Sequence, residues 1–355
     1  MKKVNLSRIG LILLVSIISY LILLELMVHF EKSNPDASIK SFYDAIWWSA
    51  VTLTSVGYGD MYPSTEEGRI IGFFFLFGSL TIFAILIGQI SSIMNNIKEN
   101  KRLGQYGTNL KHHALIVGWN SFGKTVTDQL TGAGKQVAIV TKTKTDIDFI
   151  RENYPSSNVF ALYTDYNTIE HLQKANIQDA SIVFVNLEDD TEKLVYILNL
   201  KKTFEGLKYI VSLDNADLKQ TFVAAGVTYA LSKNEIASKL LASYIFEPDV
   251  AIFNEEIIAV AESDELYDIK QYHVLKSNPY LGMPYEKVFF DLKRACNAVL
   301  VGIVKCQEDK RVLLKNPDGG EVIVEVKDYL LLLVNGLGEK KLNKLFHTKE
   351  GLVDD

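Results

Sequence analysis

Cysteine is nearly missing: 355 residues contain only Cys296 and Cys306. Two thiols cannot build the multi-bridge framework of a small secreted fold, nor supply the roughly four ligands of a structural zinc. They fit reduced thiols in a cytosolic environment. Positive charge is not in excess either. The formal net charge of −6 leaves no electrostatic footprint for a nucleic-acid partner. Charge of either sign is absent from residues 70–97. No proton-transfer or nucleophile constellation stands out, so an enzyme is not expected.

What is present begins with two apolar stretches. The apolar run over residues 9–30 is broken only by Glu25 and His29 near its far end. As a helix they would reach about 33 Å, against a hydrocarbon core of about 30 Å. Lys2, Lys3 and Arg8 would also suit a signal peptide, but its apolar part is only about 7–15 residues and ends in a small-residue cleavage site. A retained helix is therefore expected. The second stretch, 70–97, spans with a turn or two to spare, and Lys98, Lys101 and Arg102 follow it. Basic residues outside both stretches place the two termini in the cytoplasm of a multi-pass protein of the plasma membrane, with 31–69 as the outer segment.

That outer segment holds Thr54-Ser55-Val56-Gly57-Tyr58-Gly59-Asp60, preceded by Trp47-Trp48. A pore that strips water from a cation must point consecutive carbonyls at one axis, so its chain alternates right- and left-handed conformations. Left-handed positions are cheap only for glycine, and Gly57 and Gly59 sit two residues apart. Four such segments would stack rings of oxygen ligands for a large monovalent cation. Residues 41–53 are expected to form a pore helix aiming its partly negative end at the ion path. Trp47, Trp48 and Tyr58 would pack around the filter. An ordinary glycine-rich outer turn with interfacial aromatics is the bland alternative, and the placement between two spans speaks against it.

These residues, with Trp47-Trp48-Ser49 and Tyr62-Pro63, resemble the two-transmembrane potassium channels. The resemblance implies a homotetramer in a lipid bilayer with K+ held at Ser55, Val56, Gly57 and Tyr58. Ser55 stands where that family usually has threonine; its hydroxyl can still ligate an ion, without the methyl that restrains the rotamer. Gly78, beside Ser79, lies near the family's hinge position, and close helix packing is its other use.

From 112 onward short apolar runs alternate with helical stretches. Runs at 114–117, 137–140, 159–162, 182–185 and 209–211 indicate a parallel sheet in a Rossmann-like α/β domain. Gly118-x-Asn120-x-x-Gly123 is a dinucleotide fingerprint lacking its second glycine, and Thr141-Lys142-Thr143-Lys144 replaces the acidic residue expected after the second strand. Classical NAD binding is therefore not expected, which weakens the reading as a membrane-anchored nucleotide-binding protein or oxidoreductase. His112-His113 reads as abutting the first strand.

Gly118-Trp119, Asp165 and 172–177 resemble the RCK domains that regulate potassium conductance, and 281–333 resembles their smaller C-terminal lobe. Expected boundaries are a pore domain over 1–97, a linker over 98–111, a Rossmann-like domain over 112–247 and an α+β lobe over 248–345. The resemblance implies a cytoplasmic ring of four such parts, or eight, that couples a small regulatory ligand to the pore. Calcium-gated members hold Ca2+ at strand ends whose equivalents here are Asn186, Ser212 and Asp214; only the last is a carboxylate, and Ca2+ wants six to eight oxygens. Glu188-Asp189-Asp190 offers a second divalent site, and an adenine nucleotide near Gly118, Asn120, Gly123 and Asp165 is the rival ligand. The function expected is a ligand-gated potassium channel, with a non-selective cation channel as the alternative.

Overall fold

The computed structural model describes residues 6–261, 263–307, 310–318 and 321–351, so Lys2 and Lys3 lie outside the described residues. The chain forms two compact units, Met1–Glu99 and Asn100–Asp355.

The first unit contains α1 (Leu6–Glu31), α2 (Phe42–Leu53) and most of α3 (Glu66–Arg102). Twenty-six residues give α1 about 39 Å of length. The 37 residues of α3 are long and apolar enough to cross a membrane. A capping box starts α2: Ser41 Oγ accepts from Asp44 N while Asp44 accepts from Ser41 N. Leu24, Met27, Ile39, Ala45, Trp48, Ile71 and Phe75 form the core that ties the three helices. The start of α3 is capped from a distance. Glu31, fully buried, accepts hydrogen bonds from the backbone N–H and hydroxyl groups of both Ser64 and Thr65, at 2.6–3.0 Å.

In the second unit six strands, β1 (Ala114–Val117), β2 (Val137–Thr141), β3 (Val159–Tyr163), β4 (Ile182–Val185), β5 (Tyr209–Leu213) and β6 (Tyr229–Ser232), form an all-parallel sheet. Their order is β3-β2-β1-β4-β5-β6, with the topological switch between β1 and β4. The helices of this lobe are α4 (Ser121–Gly132), α5 (Lys144–Asn153), α6 (Asp190–Thr203) and α7 (Lys219–Ala224). Both faces are covered, one by the core around Leu115, Val140, Ile197 and Phe222, the other by that around Ile116, Ile139, Ile147 and Phe184. This burial explains why β1 and β2 read as unbroken apolar runs. β6 is an addition to the expected strands; as a half-exposed edge strand it has no such run.

Two helices, α8 (Lys233–Phe246) and α9 (Pro248–Ile258), lead to the smaller lobe. There β7 (Tyr267–His273), β8 (Val299–Gln307), β9 (Lys310–Lys315) and β10 (Tyr329–Asn335) make an antiparallel sheet in the order β7-β10-β8-β9. α10 (Tyr285–Cys296) and α11 (Gly336–Phe346) share a core with it through Leu292, Leu300, Leu330 and Phe346. Cys296 is buried, and neither cysteine is bonded to the other.

The stretch read as a linker has little slack. Residues 98–102 continue α3, because no glycine or proline interrupts them before Gly104. The following residues are fastened to the sheet. Leu103 is buried in its core, and its carbonyl accepts from Tyr163 N at 3.0 Å. Gln105 donates to the Tyr163 carbonyl at 2.7 Å and accepts from Lys174 Nζ at 2.8 Å. Gly104 has φ +72°, and a Cβ there would lie 2.2 Å from the Ala161 carbonyl. Arg102 pairs with Asp148.

Candidate functional site: the pore loop and the Rossmann-like cleft

The last turn of α2 sets the path of the loop after it. Thr54 Oγ1 donates to the Ala50 carbonyl at 2.7 Å, and the N–H groups of Val56 and Gly57 both turn back to the Val51 carbonyl, at 3.1 and 3.3 Å. Their donors are thereby spent on the helix end. Positive φ then occurs at Ser55 (58°), Gly57 (57°) and Gly59 (77°), every second residue. Thr54 at φ −86° lies outside that set. The third left-handed position, Ser55, was not read from the sequence, since serine does not announce αL geometry as glycine does.

Aromatic side chains brace the loop. Trp47 Nε1 donates to Asp60 Oδ2 at 2.8 Å, and the Trp47 and Tyr58 rings stack at 5.9 Å and 5°. Trp48 faces inward instead, edge-on to Phe75 at 5.2 Å. Tyr20 and Ser49 hydroxyls are 2.7 Å apart, joining α1 to α2. Val56 and Tyr58 are 53% and 68% exposed within one chain. Gly78 lies in uninterrupted helix, and a Cβ there would meet nothing within 4 Å. The Ser79 and Thr81 hydroxyls, both on its C-terminal side, bond back to the Leu76 and Phe77 carbonyls, a pattern that favours bending.

In the second unit the sequence-predicted residues divide. Gly118, Asn120, Gly123 and Asn186 meet. Asn120 caps α4, accepting from Gly123 N at 2.9 Å, and Asn186 Nδ2 donates to Asn120 Oδ1 at 2.9 Å. A Cβ on Gly118 would lie 2.4 Å from the Asn186 carbonyl, so this glycine serves close strand packing. At the helix N-terminus that would face a dinucleotide pyrophosphate, the Gly123 N–H is taken by the Asn120 side chain. Asp165 belongs to a neighbouring cavity of about 320 Å3, lined also by Lys142, Tyr166, Asp189, Glu192 and Tyr196. Lys142 Nζ lies over the Tyr166 ring at 5.6 Å. The Tyr196 hydroxyl is pushed well above the ordinary tyrosine range, chiefly by burial.

The expected divalent ligands do not converge. Glu188 is exposed, Asp189 caps α6, and Asp214 pairs with Lys233 at 2.8 Å. Among the described residues no group of three His, Cys, Asp or Glu side chains is placed to hold a metal. Asp190 turns inward to Lys193. Burial disfavours its charge, but the N–H of Asn215, the Lys193 ammonium and the N–H of Asp214 hold it below the ordinary carboxylate range. His113 is buried against the sheet with Nε2 3.0 Å from the Ala175 carbonyl.

Comparison with known proteins agrees with this division. Residues 10–96 match the ion channel family model and residues 114–233 match the TrkA-N domain. The calcium-gated potassium channel TvoK of Thermoplasma volcanium is 24% identical over 77% of this chain and 78% of its own. The GsuK channel bound to NAD aligns with 97% of this chain at 15% identity and a TM-score of 0.38. The human SLO3 gating ring covers 66% of the chain at 13% identity and a TM-score of 0.50, a likeness of fold. The chain spans 60% of the GsuK chain and 46% of the SLO3 chain.

Proposed function

We propose that this chain, which joins the pore domain of two-span potassium channels to a regulatory RCK domain of TrkA-N type, is one subunit of a ligand-gated, potassium-selective channel. It is a membrane protein, and its relatives are ion channels. Thr54, Ser55, Val56, Gly57, Tyr58, Gly59 and Asp60 are its selectivity filter, with K+ between oxygens of Ser55, Val56, Gly57 and Tyr58. The observation that carries the reading is the run of positive φ at Ser55, Gly57 and Gly59. With alternate residues left-handed, successive carbonyls can face one side, while the N–H groups of Val56 and Gly57 turn back to the Val51 carbonyl. Trp47 and Trp48 hold the filter from behind, one through Asp60 and Tyr58, the other through the helix core.

Four copies surround the pore, each crossing the membrane twice with both termini in the cytoplasm. The cytoplasmic parts form a ring of four, completed to eight where further RCK domains are supplied. The unpartnered apolar side chains Ile245 and Phe246 on α8 and Phe253 on α9 suit contacts between neighbours in that ring. The regulatory ligand is of the relatives' kind, Ca2+ or an adenine nucleotide. A nucleotide fits beside Asp165 better than against Gly118, where Asn120 and Asn186 already bond. Ligand-driven expansion of the ring pulls on α3 through the docked residues 103–105 and bends it near Gly78. The ligand shifts that equilibrium by its differential affinity for the two states and by no more.

Purified chain in a planar bilayer between unequal K+ and Na+ tests this. The reversal potential should lie near the K+ value, and open probability should change with Ca2+ or an adenine nucleotide. A potential midway between the two ions rejects selectivity, and indifference to both ligands rejects the regulator.

A further inference from the structure

Lys193 is 1% exposed, among the most deeply buried ionisable side chains described in the Rossmann-like lobe. Three residues after Asp190 on the first turn of α6, it reaches the C-terminal end of β5. Its Nζ donates to Asp190 Oδ1 at 2.7 Å and to the Ser212 carbonyl at 2.8 Å. The other carboxylate oxygen of Asp190 accepts the N–H groups of Asp214 and Asn215, each at 3.0 Å. One ammonium and one carboxylate thus join the start of α6 to the loop after β5. The hydroxyl of Ser212 is buried there with no hydrogen-bond partner among the described residues.

A buried charge persists only when oxygens replace its water, and this one has a carboxylate and a carbonyl within 2.8 Å. The arrangement is that of a cation site, with the cation carried on the chain. A free divalent ion has no room in the ledger of ligands: both Asp190 oxygens are engaged, Asp214 is paired with Lys233, and the Lys193 ammonium would repel it.

We infer that Lys193 is a built-in cation at the ends of β4 and β5, holding the loops after them closed and making this place unresponsive to cytosolic divalent ions. The inference rests on the reading of this lobe as a ligand-gated regulator and assigns its response to another place in it. Without the ammonium, Asp190 would keep a buried charge with no counter-ion, and the site would admit a small free cation instead.

The test uses the full chain in detergent and saturating K+, read by the thermal midpoint of the cytoplasmic part. Any shift of the wild-type midpoint as Ca2+ or Mg2+ is raised from chelated to millimolar levels should persist in Asp190→Asn, because the responding place lies elsewhere. Lys193→Ala should lower the midpoint by roughly 10 °C, since breaking a buried pair is costly, and ethylammonium should restore part of that loss. Lys193→Met, which fills the space without charge, should fall similarly and gain nothing from ethylammonium. A wild-type midpoint that rises with Ca2+, and stops rising in Asp190→Asn, overturns the inference. So does a Lys193→Met chain as stable as wild type. Each titration is read against the same chain without added divalent ion, and because it does not depend on conduction its failure is distinct from failure of the channel reading.

Discussion

The junction between α1 and α3 makes a prediction whose sign depends on the background in which it is measured. A Cβ added at Gly68 would lie 2.1 Å from Glu31 Oε1 and 2.8 Å from Thr65 Oγ1. Gly68→Ala should therefore displace the carboxylate that caps α3, releasing the N–H groups of Ser64 and Thr65. Losing acceptors for two part-buried amides costs about 2–4 kcal/mol after partial recovery by water. Glu31→Ala alone should cost a similar amount, since it removes the same acceptor and its favourable place at a helix N-terminus. In the Glu31→Ala background the nearer obstacle to a methyl at Gly68 is gone, and the Thr65 hydroxyl, no longer donating to Glu31, need only shift by a few tenths of an ångström while it still accepts from Gly68 N. Alanine then exceeds glycine in helix propensity by about 1 kcal/mol, so Gly68→Ala should stabilise there. The coupling between the two sites should be about 3–5 kcal/mol, far beyond additivity. Midpoints of detergent-purified single and double variants, with K+ flux in vesicles as the check on assembly, give the cycle. If Gly68→Ala costs the same in both backgrounds, the carboxylate is not what requires glycine.

Three further outcomes are expected. Trp47→Phe keeps a ring against Tyr58 but deletes the 2.8 Å bond to Asp60, worth about 1 kcal/mol at an exposed site. K+ current should then decay faster during sustained opening, and unchanged decay would detach this bond from filter stability. Gly104→Ala would drive a methyl into the Ala161 carbonyl, so ligand should lose control of open probability while single-channel conductance stays the same. Flexible residues inserted after Arg102 should do likewise, and retained coupling in both would reject a taut connection. His113 is held below the ordinary histidine range by burial, against smaller opposing effects of the Ala175 carbonyl and Asp179. The unfolded chain therefore takes the proton first. The stability of the lobe should be intact above about pH 6.5 and fall below it, and a midpoint that rises between pH 7 and 5 would refute this.

What was legible in the sequence follows from range. Gly57 and Gly59 advertise their backbone geometry by lacking a side chain, and the strands of the Rossmann-like lobe advertise theirs by being buried on both faces. Interactions between distant residues leave no such mark. Glu31 reads as the polar end of an apolar helix, and nothing nearby says that its partners are Ser64 and Thr65. Lys193 follows four acidic residues, Glu188, Asp189, Asp190 and Glu192, and passes for part of a solvated run, because the Ser212 carbonyl that makes it a buried ammonium lies 19 residues on, in the next strand. Residues 98–111 are polar and read as a tether. Their composition is equally that of an amphipathic clasp, and only the position of Tyr163 and Lys174 decides between the two.

That last distinction bears on how such a channel can work at all. A flexible tether stores a pull as chain entropy, and a ligand worth 2–3 kcal/mol per lobe would spend much of it straightening slack. Here the helix that lines the proposed pore runs without a break to Arg102, and the next three residues are bonded to β3 or buried against it. Displacement of β3 is displacement of the end of α3. In the proposed mechanism the helix itself must then yield, and Gly78 has open space around it and back-bonding hydroxyls on its C-terminal side. A stiff connection and a soft helix belong together: either one alone would leave the ligand's modest free energy without an effect on the pore.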